Sequence, residues 1–347
     1  MYIKKILIAI FLIGLLFMAG FAYYVYSIIL LPNTAFNNDE AHIYIPTGAD
    51  YSIVLNEISP LLEDVGTFET VAAKKGYKSN VKSGHFIIKN GMSNNEIINT
   101  IRSKNIPIYV RFNNQQRIED LAGHVARQIE ADSLSLLNSM RDADFLKSND
   151  ISSESALSLY IPNTYEFYWN SSATTFRDRM LREYKNFWTE ARQKKAETLG
   201  LSREEVISLA AIVQKETVKN DERPKVAGVY LNRIKVGMLL QADPTVIFAK
   251  KKAENDFEQV IKRVLYKDLE IDSPYNTYKY AGIPPGPIAM PDISSIDAVL
   301  NPATHDYFYF VADVTNFGYH KFAKNLQQHN VNKREYVAWL SKNNVDR

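Results

Sequence analysis

LAAIVQKET, at residues 209–217, closes a segment that the sequence predicts as a helix from about Ser202 to Lys219. Ser202 offers an N-cap oxygen, and Glu204 and Glu205 put carboxylates in the first turn, where the helix dipole favours them. At about 100° per residue, Val206, Leu209, Ala210, Val213 and Thr217 share one face, while Ser208 and Lys215 take the other. Glu216 falls between Ile212 and Leu209, on the flank of that apolar stripe. Two readings stay open there. A helix-end glutamate can turn to solvent or pair with Lys219 or Arg223. Alternatively it is partly desolvated, with a raised pKa, which is the state a general acid needs near neutral pH.

Around this stretch, 347 residues with 46% hydrophobic content suffice for two domains, each with its own core. A formal net charge of +2 gives no sign of a nucleic-acid partner. Cysteine is absent, which excludes disulfides and thiolate chemistry and suits work outside the cytoplasm. Tyrosine is abundant, 21 against 17 Phe and 3 Trp. Its flat apolar face and polar tip serve stacking on sugar rings as well as ordinary cores.

Residues 6–31 contain no charged side chain. As a helix they would span roughly 39 Å, enough to cross a hydrocarbon core of about 30 Å with some tilt. Lys4 and Lys5 precede the run and Asp39 and Glu40 follow it, so the positive-inside rule predicts a cytoplasmic N-terminus with the rest of the chain outside. The run is too long for the core of a signal peptide, and Tyr23, Tyr24 and Tyr26 resemble an interfacial belt more than a cleavage site. An uncleaved single-pass anchor is therefore expected over residues 1–36.

Residues 37–106 predict a small α+β module, in which IYIPT (43–47) and HFIIK (85–89) each lead through a glycine into an apolar helix face. Spacer and carbohydrate-binding module are both open for it. A third strand-to-helix signal runs from IYVRF (108–112) to Val125. Residues 130–158 are polar and helical in tendency, with serine-rich punctuation at 148–158, so 107–158 is expected as a connecting segment. Then come a dense aromatic run at 160–169, a helix from Thr174 to Leu199, the Glu216 helix, and a helix over 226–233 stopped at Gly237. Loop with short strands is expected beyond, including a strand at 307–313, and a closing helix from about Lys333 to Asn343.

The segment 273–288 carries four prolines and two glycines, so it reads as a long ordered loop rather than a central strand or helix. Such loops are disproportionately functional, and Tyr275, Asn276, Tyr278 and Tyr280 are placed to line a cleft. Gln241 and Asp243 occupy a second such stretch, expected to end at Pro244. His305, His320 and His329 lack the spacing of a helical zinc pair, so neither metal nor cofactor is expected. Without a Gly-x-Ser-x-Gly elbow, a phosphate loop or a thiol, what remains is carboxylate chemistry with polar helpers.

YIPNTYEFY (160–168), LAAIVQKET (209–217), VAGVYLNR (226–233), LLQADPTVIF (239–248), SPYNTYKYAGIPPGPI (273–288), YFYFVAD (307–313) and HKFAKNLQQHN (320–330) together resemble the endolytic murein transglycosylase, or YceG-like, family. The resemblance covers roughly residues 155–345, and more loosely a LysM-like module ahead of it. It implies a mixed α+β catalytic domain over 159–347. It also implies a membrane-anchored enzyme that cuts peptidoglycan strands internally, between N-acetylmuramic acid and N-acetylglucosamine, leaving 1,6-anhydromuramic ends. Glycan strands are the implied substrate, with peptidoglycan synthases as candidate partners. The family's catalytic glutamate maps onto Glu216. A second glutamate common in the family is Gln214 here, which removes the nearest rival. By the same resemblance Gln241, Asp243, Tyr165, Asn276, Tyr278, His320 and Asn330 line the groove. Two other classes remain: a lysozyme-like hydrolase with Asp243 as second carboxylate, and a non-catalytic wall-binding scaffold.

Overall fold

A computed structural model describes residues 2–343. Met1 and residues 344–347, which the expected anchor and catalytic domain include, lie outside the described residues. The chain is mixed α+β, and it divides into two compact units.

The first unit holds residues 1–110, 127–131 and 165–172. It opens on α1, Tyr2–Leu30, 29 residues with none buried. At about 1.5 Å per residue that helix is long and apolar enough to cross a bilayer. β1 (Glu40–Ile45), α2 (Tyr51–Ile58), α3 (Val65–Lys74), β2 (Gly84–Lys89) and α4 (Asn94–Ser103) follow. β1 and β2 pair antiparallel, with Ile43 opposite Phe86, and the alternating residues Ile43, Ile45, Phe86 and Ile88 face inward onto Val54, Ile58, Phe68, Ile97 and Ile101. Ser93 and Glu96 form a capping box at the start of α4. Two buried asparagines tie α1 to this core. Asn94 Nδ2 donates to Ile28 O at 2.9 Å, satisfying one of the carbonyls a helix end leaves open, and Asn33 Nδ2 donates to Asn94 Oδ1 at 2.7 Å. Trp169 packs on Tyr44, and Glu130 accepts from both the backbone and the hydroxyl of Thr47.

The second unit holds residues 111–126, 132–164 and 173–347. Strands β3 (Pro107–Phe112) and β4 (Asn163–Tyr168), which pair, lie mostly in the first unit; α5 (Ile118–Ala126), α6 (Ser133–Met140) and α7 (Ala143–Ser148) belong to the second. The polar stretch of helical tendency does form helices, and Leu136, Met140, Leu146 and Leu157 within it are buried. The expected long helix after the aromatic run is two, α8 (Ala173–Phe187) and α9 (Glu190–Leu199), because the Thr189 side chain caps a fresh start by accepting from Arg192 N. Next come α10 (Arg203–Glu216), α11 (Arg223–Lys235), α12 (Asp243–Glu254), α13 (Ile293–Leu300), β5 (Tyr309–Ala312), β6 (His320–Ala323) and α14 (Leu326–Lys342).

Helix α10 is the axis of this unit. Its N-terminus is a capping box, Ser202 with Glu205, and every residue from Val206 to Val213 is buried, Ser208 included. The amphipathic helix read from periodicity is therefore enclosed on all sides, with α13, α11, α12 and α9 packed around it. Ala210 and Ala211 leave room for that close approach. Two further expectations change. Pro244 does not end its segment; it sits in the first turn of α12, where its missing N–H costs nothing. The closing helix starts at Leu326 rather than near Lys333, because Asn325 caps it by accepting from Gln328 N.

Candidate active site

Glu216 is the last residue of α10, half-buried, at a cavity of about 360 Å³ in the second unit. Tyr230, one helix later, is fully buried and donates its hydroxyl to Glu216 Oε1 at 2.8 Å. Burial and the neighbouring carboxyl hold the Tyr230 phenol far above its ordinary pKa, so it stays a donor. Glu216 itself is pushed up from 4.5 to about 7. Burial is the leading cause and the charge of Asp243 adds to it; the Tyr230 hydrogen bond and Arg233 act in the opposite direction. With Oε1 engaged, Oε2 is the oxygen left to carry a proton.

The opposite lip is built from the two loops singled out in the sequence. Gln241 adopts a left-handed backbone, φ 48°, and its N–H donates to Thr277 O at 3.1 Å. Thr245 Oγ1 donates to Ala242 O and meets Thr277 Oγ1, which locks the start of α12 against the 273–288 loop. Asp243 and Gln241 consequently project at the cavity, both exposed. Tyr278 donates its hydroxyl to Asp243 Oδ1 at 2.6 Å. Asn276 is completely buried and touches no open surface. Its amide donates to Leu269 O and Ile271 O, and its Oδ1 accepts from Tyr278 N, so it shapes the loop that presents Tyr278.

Helix α11 sets the third wall. Gly228 lies where a Cβ would come 2.6 Å from Ala303 O, so its lack of a side chain lets the chain ahead of β5 pack on this helix. Asn232 donates to His305 O and Tyr307 O, and Arg233 donates to Phe308 O at 2.7 Å and Leu240 O at 2.6 Å. These bonds place Tyr309 and Phe310 on the cavity wall.

Of the residues the resemblance nominates, the fold brings Glu216, Gln241, Asp243, Tyr278 and Asn330 to one cavity. It does not bring the other three. Tyr165 is buried in β4 and belongs to the first unit. Asn276 acts from beneath its loop. His320 is turned to Glu222, which accepts from the His320 backbone at 2.7 Å and meets its Nδ1 at 2.8 Å, fixing β6 to the head of α11. Gln214 points away too, accepting from Ser295 Oγ of α13 at 3.0 Å. Sequence reading missed Tyr230, Arg233, Tyr309, Phe310, Leu326, His329 and Lys333 as cavity residues. Tyr230 and Arg233 stood in a quoted motif at i, i+3 spacing, a signal that was available.

A buried helix that delivers one up-shifted carboxyl to an aromatic-walled cavity defines a site of the general-acid class. Residues 43–335 match the model of the YceG-like family, and the chain belongs to that family. It is similar to an endolytic murein transglycosylase of Bacillus subtilis (strain 168), 29% identical over 317 residues, covering 86% of this chain and 85% of that protein. A protein of the same name from Streptococcus pneumoniae (strain D39) is 26% identical over 375 residues; the match covers 97% of this chain and 66% of the relative, which is the longer protein. A crystal structure of a yceG-like protein from Listeria monocytogenes superimposes with a TM-score of 0.55 at 26% identity, covering 85% of this chain and 99% of that one.

Proposed function

We propose that this chain is a membrane-anchored lytic transglycosylase that cleaves peptidoglycan glycan strands internally, between N-acetylmuramic acid and N-acetylglucosamine, with Glu216 as the one acid and base. The observation that carries this reading is the half-buried Glu216 carboxyl raised to about 7 in an open cavity, with one oxygen held by Tyr230. The names borne by the relatives from Bacillus and Streptococcus support the same activity.

In this reading protonated Glu216 donates from Oε2 to the glycosidic oxygen as the bond from C1 breaks. The resulting carboxylate takes the proton from the muramyl C6 hydroxyl while that oxygen bonds to C1. The products are a 1,6-anhydromuramic end and a free hydroxyl on the departing sugar, and Glu216 is protonated again. Because the nucleophile belongs to the same ring, no activated water and no second carboxylate are needed. Asp243, held by Tyr278, raises the pKa of Glu216 and contacts substrate with Gln241 and Asn330.

The anchor is α1, with Lys4 and Lys5 on the cytoplasmic side and the chain that follows it outside. The small α+β module is LysM-like and holds glycan near the bilayer, where strands are made; synthases are the partners this placement suits. Digestion of purified sacculi, with products read by mass spectrometry, tests the reading. Wild type should leave anhydro ends and Glu216→Gln should leave almost none. Reducing ends from wild type would favour a hydrolase, and a Glu216→Gln variant as fast as wild type would remove Glu216 from the chemistry.

A further inference from the structure

The α14 wall of the cavity has no part in the proton transfers just described. Leu326, His329, Asn330 and Lys333 follow i, i+3, i+4, i+7, so they form one stripe within about 100° of arc, and all four line the cavity. Lys333 is exposed and makes no ion pair or hydrogen bond with any other described residue, whereas Lys321 and Lys324 nearby are paired with Glu335 and Asp306. His329 is stacked on Tyr309, ring centroids 5.2 Å apart, and its buried Nδ1 has no partner among the described residues. Burial, then the positive charges of Lys333 and Arg233, hold His329 below its usual pKa. With Glu216 protonated, the cavity lining carries two cations, Arg233 and Lys333, against the single carboxylate of Asp243. Asp243 already accepts from Tyr278, and Arg233 is spent on backbone carbonyls. The unspent cation is Lys333.

We infer that Lys333, with His329 beside it, forms a carboxylate-binding subsite that reads an acidic group on the muramyl side of the scissile bond. The inference rests on the glycan-cleaving reading above. A muramyl ring offers such a group from two sources: its own 3-O-lactyl carboxyl when no peptide is attached, or the carboxylates of a stem peptide when one is. The shared chemistry is a carboxylate meeting an ammonium at the cavity rim, and Lys333 sets specificity without touching the proton path.

Three sets of strands of equal length separate the sources: peptide-bearing, stripped so that the lactyl carboxyl is free, and stripped with that carboxyl converted to its methylamide. Full-length wild type, Lys333→Gln and Lys333→Arg, in detergent, are compared by the kcat/KM for anhydro-end formation. The wild-type preference for a carboxylate strand over the methylamide should fall about tenfold in Lys333→Gln, the order of one charge-assisted hydrogen bond. The change should appear in KM, Lys333→Arg should restore it, and added salt should weaken it in wild type. Whichever carboxylate strand loses the preference identifies the source. A Lys333→Gln variant that slows all three sets by one factor, or leaves their ratios as in wild type, overturns the subsite. If wild type releases no anhydro ends at all, the transglycosylase reading has failed. Equilibrium binding of the same strands, wild type against Lys333→Gln, then decides the subsite by the same ratio.

Discussion

Glu216→Gln tests the electrostatics of the site independently of its chemistry. Glutamine keeps the shape of the side chain and the oxygen that accepts from Tyr230, and it removes the ionisation. In the native protein Glu216 titrates at about 7 rather than 4.5. The folded state therefore holds this proton more tightly than the unfolded chain. Stability from this group is complete below about pH 4.5 and is lost as pH rises through about 7. At 1.36 kcal/mol per pKa unit the loss is about 3 kcal/mol, because an ionised carboxyl then sits where burial disfavours it. The glutamine variant escapes that loss. Relative to wild type it should gain about 3 kcal/mol between pH 4 and pH 8, a rise of roughly 6–12 °C in the melting point of the unit that carries it. Scanning calorimetry of both proteins at the two pH values reads this directly. A melting-point difference that is the same at pH 4 and pH 8 would show that Glu216 titrates as an ordinary carboxyl, and the general-acid argument would lose its basis. In wild type the same titration predicts a kcat/KM that declines above about pH 7, as the acid loses its proton.

Tyr230→Phe removes the hydrogen bond that lowers the Glu216 pKa, so the alkaline limb of the pH–rate profile should move upward; an unmoved limb would deny the contact. Ser202→Ala breaks the capping box of α10 and should cost about 1 kcal/mol in denaturant titrations, with no change in the pH profile. Gly286→Ala would bring a Cβ to 2.0 Å from Glu154 O, and displacing that backbone should cost about 3 kcal/mol or more; a variant as stable as wild type would mean the loop yields freely. Asn94→Ala removes the donor to the Ile28 carbonyl and one acceptor of Asn33, and hydrogen exchange at the end of α1 should quicken by about tenfold or more.

Much of this protein is written in local pattern. The capped start of α10, the uncharged run that becomes α1, and the proline-rich loop at 273–288 follow from side-chain chemistry acting over a few residues, so the sequence alone suffices for them. Glu216 was legible as a residue on the flank of an apolar stripe, with a raised pKa as one of two open readings. What decides between them is its burial and then Tyr230, Asp243 and Arg233, which local pattern cannot bring to its side. The same limit explains the misplaced residues. Asn276 and His320 look like site residues in a linear motif, yet their hydrogen bonds go to Ile271 O and Glu222, partners that only packing selects. The stripe Leu326, His329, Asn330, Lys333 shows helical spacing once Asn325 is known to cap α14. Periodicity says that those four share a face; only the tertiary structure decides that the face looks into the cavity of Glu216, because burial and electrostatic potential at a point sum over neighbours distant in sequence.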